Sequence, residues 1–269
     1  MTEKFSYYDF LAYLVPGTVV LWAAIKLAEA VDILQFISTQ STLLNASAFV
    51  VIAFLAGHLV QAEAQRWLNA GHWYSVFPNG FPTRSFLVRG QEDEKGNLWS
   101  SESRRLAYVS VALRHGFLDE GQVAKLAAAG VEEIEEARRA SQEAYRAAFG
   151  FLTDEGRAQK AITANQTYGL FRGLTMSSAV VAALFFIILV VGLARSCGEW
   201  TERLATWAGF AELILFPLLV MVTFTYAAVS FRLRARNRGK HHAREVFDAL
   251  LSKPPSNGED ATSHTLSTG

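Results

Sequence analysis

Four apolar blocks, two near each end of the chain with a polar stretch between them, decide what this sequence can fold into. The first runs from about Tyr7 to Ala30 and carries no charge from Phe10 to Ile25. The second, Leu43 to Val60, reads LLNASAFVVIAFLAGHLV, with Asn45, Ser47 and His58 as its polar interruptions. The third, Leu174 to Ala194, is LTMSSAVVAALFFIILVVGLA, and the fourth, Trp207 to Phe231, holds one acid, Glu212, and one proline, Pro217. A helix needs roughly 20 apolar residues to cross about 30 Å of hydrocarbon. One block of this length suits a buried core helix as well; four in a chain of 269 residues point to a bilayer. The sequence predicts an all-α membrane protein with four transmembrane helices as two hairpins. Residues 1–62 hold the first pair, with spans at about 8–30 and 43–61. Residues 63–173 form a helical cytoplasmic insert, and 174–231 hold spans at about 174–194 and 207–231. A basic juxtamembrane helix over 232–253 and a disordered tail over 254–269 follow.

Charge sets the orientation. With the N-terminus inside, 22 Lys and Arg fall on the inner side and only Lys26, Arg195 and Arg203 outside. The run Arg232, Arg234, Arg236, Arg238 and Lys240, directly after the fourth span, fixes that side as cytoplasmic. The expected location is the bacterial inner membrane, with both termini and the insert in the cytoplasm. The first block has a competing reading: Ala28-Glu29-Ala30 has the small-x-small form of a signal cleavage site. Glu3 and Asp9 against a single Lys4, and the breaks at Lys26 and Glu29, argue for retention as a span.

The insert reads as helical. Ser100 or Ser101 can cap a helix through about Gly116, with Leu106, Val109 and Leu113 on one face. Asp119 and Gln122 have the spacing of a capping box. The helix from Val131 to Leu152 spaces Ile134, Ala137, Ser141, Tyr145, Ala148 and Leu152 along one stripe, and Glu135 stands four residues before Arg139. Thr153-Asp154 is placed to cap a helix that runs on into the third span. Fourteen Lys and Arg balance fourteen Asp and Glu between Glu63 and Gly173, so no basic stripe offers a nucleic-acid surface. Arg84, Arg89, Arg104 and Arg105 read as solvated side chains rather than a phosphate site.

No phosphate-binding loop, nucleophile elbow, zinc-protease helix or dinucleotide fingerprint occurs. The one cysteine, Cys197, and six scattered histidines give no metal spacing, and no cofactor is expected. The polar groups at the membrane margins are the candidates. Asp9 opens span one and His58 closes span two on the same side, so they can meet as a charge pair, with Gln61 and Gln65 continuing the stripe. A latch between the spans and a packing cluster are both consistent with that pattern. Glu212 is a carboxylate inside span four, placed to pair with Lys26 or Arg203 or to face the bundle interior. Pro16-Gly17 and Pro217 are set to kink their helices. Ser178/Ala182 and Ala179/Ala183 repeat small residues at the spacing that packs or oligomerises spans.

YYDFLAYLVPG in span one, AGHLVQ at the end of span two and NQTYGLFRGL entering span three resemble landmarks of uncharacterised bacterial four-span inner-membrane proteins, some of the type found as membrane effectors in antiviral systems. The resemblance covers the spans and their edges and leaves the insert unmatched. It implies a place in the inner membrane, with membrane disruption among the roles, and carries over no catalytic residue. The leading expectation is a non-enzymatic scaffold or anchoring subunit, its partners the lipid bilayer and a cytoplasmic protein or small-molecule signal held by the insert. A homo-oligomeric pore or effector gated by the insert is the alternative. A lipid-directed membrane enzyme is the third, and would need a convergent polar pocket near Asp9 and His58.

Overall fold

In hydrocarbon a backbone N–H or C=O has no water to bond, so an apolar run of span length closes its hydrogen bonds within itself as a helix. The computed structural model describes residues 7–30, 42–68, 75–77, 81–90, 101–127, 134–196 and 207–252, and every regular element among them is helical. In chain order these are α1 (Tyr7–Ala30), α2 (Thr42–Leu68), α3 (Pro82–Ser85), α4 (Glu102–Arg114), α5 (Glu120–Ala127), α6 (Ile134–Asp154), α7 (Gln159–Ser196), α8 (Trp207–Phe210) and α9 (Phe216–Leu251). A π turn, Ala211–Leu215, joins the last two. Among the described residues four helices are long and apolar enough to cross a membrane, over Phe10–Ala30, Ala46–Leu68, Gln159–Ala194 and Phe216–Leu251. The protein is a multi-pass, all-α membrane protein. Residues 91–100 and the expected tail from Pro254 lie outside the described residues.

The chain divides into two units. The first holds residues 1–82, 92–99 and 160–242. Ala12 lies against Gln61, Tyr13 against His58 and Gly17 against Ala53, so α1 and α2 run antiparallel. Phe185 meets Phe216, and Phe171 meets Phe231, which sets α7 and α9 antiparallel too. Ala23, Val181 and Phe185 are fully packed among Val19, Leu184, Ile188, Val220, Met221 and Phe224. The large apolar side chains otherwise face out: Val50, Val51, Ile52, Leu55 and Leu59 on α2, Phe186, Ile187 and Val190 on α7, and Leu218, Leu219 and Val222 on α9. A patch of that extent is a liability in water and is what lipid covers. Of the small residues on α7, Ser178 is buried while Ala179 and Ala183 face outward.

Pro217 explains the π turn. A proline inside a helix has no N–H to give, and its ring presses on the carbonyl four residues back. Here the helix widens just before it: the Phe216 N–H donates to the Ala211 carbonyl, five residues away. In α1 the helix continues unbroken through Pro16.

The second unit draws on residues 83–91, 100–159 and 243–269. Ser101 caps α4, its hydroxyl accepting from the Arg104 N–H. Asp119 and Gln122 form the reciprocal box ahead of α5: the Gln122 N–H donates to Asp119 Oδ1 at 2.6 Å and the Asp119 N–H to Gln122 Oε1 at 3.0 Å. On α6 the expected stripe is the core face, with Ala137, Ser141, Tyr145, Ala148 and Leu152 buried. Three expectations need correction. Thr153-Asp154 ends α6 instead of capping the next helix: Thr153 Oγ1 donates back to the Phe149 carbonyl, Gly156 takes a left-handed φ of 70°, and α7 begins at Gln159. On α4 the buried face is Arg105, Tyr108, Val109 and Ala112, which leaves Leu106 at 52% and Leu113 at 39% exposure. Arg105 is not solvated. Its Nε and Nη2 donate to Glu102 at 2.8 and 2.7 Å, and Nη1 donates to the Leu87 carbonyl at 3.1 Å. That bidentate pair holds the Glu102 carboxyl below its ordinary range.

The end of α9 closes this core. Phe247 is fully buried and stacks on Phe86 at 5.7 Å, with Tyr108 at 5.4 Å and Tyr145 at 6.3 Å. Tyr108 Oη donates to Asp248 Oδ1 at 2.5 Å. Burial pushes both phenols above the ordinary tyrosine value of 10.0, and for Tyr108 the Asp248 carboxylate adds to it. A raised pKa favours the neutral phenol in the folded state. The stability it contributes is whole below the unfolded value and is lost as pH rises through the folded one. Tyrosinate absorbance followed against pH should lose one late-titrating tyrosine in Tyr108→Phe and one in Tyr145→Phe. An unchanged titration in both variants would refute this.

Candidate functional site

Within the first unit a polar cavity of about 460 Å³ opens between α1, α2 and α7. It sits where the apolar runs give out: beside Ala12 and Tyr13 at the start of α1, along His58, Gln61, Ala62 and Gln65 at the end of α2, and along Asn165 to Arg172 just ahead of the Leu174–Ala194 run.

Gln61 organises it, and Pro16 is the reason. Because Pro16 has no N–H, the carbonyl four residues back, Ala12, is left without its helical donor. Gln61 Nε2 supplies one at 2.9 Å, and donates to the Gly169 carbonyl at 2.9 Å as well. One side-chain amide thus ties α2 to α1 and to α7. Three glycines let the backbones close around it. A β-carbon at Gly17 would overlap the Ala53 carbonyl oxygen, one at Gly57 the Tyr13 carbonyl oxygen, and one at Gly173 the Gln61 amide nitrogen.

Both hydrogen-bond partners of Nε2 are carbonyls, so the amide has one permitted orientation. Its Oε1 is then left buried without a partner, in a residue only 7% exposed. An amide oxygen in that state costs about 1–3 kcal/mol. Arg172, also lining the cavity, has a buried Nε without a partner, and its guanidinium lies 5.5 Å from the Tyr168 ring centre. Among the described residues the lining side chains include no carboxylate, and Arg172 is their permanent cation.

The residues singled out from sequence fall as follows. His58 lines the cavity and is exposed; its ring stacks on Tyr13 with centres 3.9 Å apart and meets Phe54 edge-on at 4.7 Å. Gln65 is on the rim, also exposed. Asp9 is in the first turn of α1 and Glu212 in the π turn, but both side chains, like Arg203, lie outside what is described, so neither the Asp9–His58 pair nor the Glu212 pairing is seen. Lys26 pairs with Glu29 at 2.6 Å. Pro16 and Pro217 are buried, and Gly17 sits at the closest approach of α1 and α2. The basic run continues α9 without a break. Arg232 Nε donates to the Ser75 carbonyl at 3.0 Å, Arg234 lies over the Phe171 ring at 5.9 Å, Arg236 and Lys240 are half-buried, and Arg238 is exposed. His242, further along, is buried with Nδ1 2.8 Å from the Ala161 carbonyl. No three His, Cys, Asp or Glu side chains among the described residues stand together as metal ligands.

Sequence reasoning missed Asn165, Gln166 and Arg172, which come from the NQTYGLFRGL segment, and it missed the role of Gly57. The signal was present: Ala53-x-x-x-Gly57 is a small-x-x-x-small pair inside span two. No family model, curated protein or solved structure matches the sequence.

Proposed function

We propose that the protein is a non-enzymatic anchoring subunit of the bacterial inner membrane, with both termini and the second unit in the cytoplasm, where that unit docks a protein partner. The 22-to-3 distribution of Lys and Arg supports the orientation. The observation that carries the docking role is the pair Leu106 and Leu113. They stand two turns apart on α4 and face out of a unit whose core is already filled by Tyr108, Phe247 and their neighbours. Two leucines held outward beside the exposed Ser110 and Arg114 are what an amphipathic partner helix would cover.

The test is photocrosslinking in intact cells from a probe at Ser110 of the full-length chain. A discrete adduct is expected, and Leu106→Ser/Leu113→Ser should abolish it while α4 and α6 keep their protection from hydrogen exchange. An adduct unaffected by the double substitution, or none at all, would sink the docking role. Depolarisation of cells on expression, with no adduct, would favour an oligomeric pore in its place.

A further inference from the structure

The cavity between α1, α2 and α7 asks for a ligand of definite chemistry. Gln61 Oε1 is a buried acceptor that needs a donor, and Arg172 Nε is a buried donor that needs an acceptor. The Gln61 amide cannot turn to satisfy itself, because Nε2 is committed to the Ala12 and Gly169 carbonyls. The ligand must therefore bring an acceptor and a donor together. Arg172 is the permanent charge among the described lining residues and no carboxylate is among them, so the acceptor should be anionic. Among those described residues an ammonium donor would meet Arg172 with no carboxylate to balance it, which counts against one. A hydroxyl fits. Gln65 and Asn165, amides on exposed positions, add donors and acceptors at the rim for further hydroxyls or phosphate oxygens.

We infer that this cavity binds a phosphate ester bearing free hydroxyls, of the polyol phosphate class, its phosphate on Arg172 and a hydroxyl on Gln61 Oε1. A volume of about 460 Å³ takes a group of glycerol phosphate size with room for bridging water. The cavity's place at the ends of the apolar runs puts it level with lipid headgroups, so the phosphoglycerol head of an anionic lipid is one source of this chemistry and a soluble polyol phosphate is the other.

The experiment follows thermal unfolding of the full-length chain in nanodiscs. The arms are phosphatidylcholine alone, phosphatidylcholine with phosphatidylglycerol, and phosphatidylcholine with added sn-glycerol 3-phosphate or inorganic phosphate. Phosphatidylglycerol should raise the midpoint, and Arg172→Gln should weaken that response about ten-fold in apparent affinity, as expected for loss of a charge-assisted bond. Arg238→Gln, an exposed arginine on α9 outside the cavity, should respond like the parent. A midpoint shift with glycerol 3-phosphate, also lost in Arg172→Gln, would assign the same site to a soluble ligand. Inorganic phosphate matching glycerol 3-phosphate would overturn the hydroxyl on Gln61. Equal responses of the Arg172 and Arg238 variants, or no shift in any arm, would overturn the site. Should Arg172→Gln not fold, Gln65→Met and Asn165→Ala read the same arms at rim positions, with the same outcomes deciding.

Discussion

Gly57→Leu should leave no assembled α1–α2 pair, and Gly57→Ala alone should cost about 3 kcal/mol or more, beyond the usual range for an overfilled core. The atoms a β-carbon would meet at Gly57 are the carbonyl oxygen and carbon of Tyr13, which are backbone and cannot swing aside. Relief requires the two helices to part. Parting them pulls Gln61 from the Ala12 carbonyl that Pro16 has stripped of its helical donor, so a steric fault becomes an unpaired buried carbonyl as well. Gly150→Ala is the control: it lies in α6 with nothing within 4 Å of the added carbon, and should gain about 0.5–1 kcal/mol from helix propensity. Both are read by denaturation in detergent micelles of fixed composition, with Gly17→Ala expected to follow Gly57→Ala. A Gly57→Ala protein as stable as its parent would show that the close crossing does not exist.

How legible this was depends on the range of the interactions. The spans were readable because hydrocarbon imposes a length and a composition on each segment alone. The α5 box and the α6 stripe were readable for the same reason, since residues three or four apart on one helix decide them. The cavity was half readable. His58, Gln61 and Gln65 announce themselves as polar residues ending an apolar run, but their partners are 49 and 108 residues distant from Gln61, at Ala12 and Gly169. Pro16 illustrates the limit best. Sequence gives it as a kink, because the missing N–H is a local fact; that the freed carbonyl is answered by an amide from another helix is a tertiary one. The face of α4 failed in the same manner. Leu106, Val109 and Leu113 have helical spacing, but the side that Phe247 packs against takes Arg105 and Tyr108 inward and turns the two leucines out.

The apolar residues at the end of α9 hold the second large effect, and they test whether that end anchors to lipid or completes a fold. Val246, Phe247 and Leu250 follow a basic run, and by sequence the stretch is a juxtamembrane anchor. In the structure all three are fully buried in the second unit. Phe247→Ala removes a ring packed against Phe86, Tyr108 and Tyr145, which come from segments far apart in the chain. The expected cost is about 3–5 kcal/mol, a large share of what a unit of this size has to lose. Hydrogen exchange on the full-length protein should show the amides of α4 and α6 losing protection, with those of α1 and α2 unchanged. Leu251→Ala, on the exposed side of the same turn, should leave all four helices as they were. Were the end of α9 only a lipid anchor, the two substitutions would act alike, weakening membrane retention and sparing the amides; a protected α4 in Phe247→Ala would therefore move these residues out of the core and back to the membrane surface.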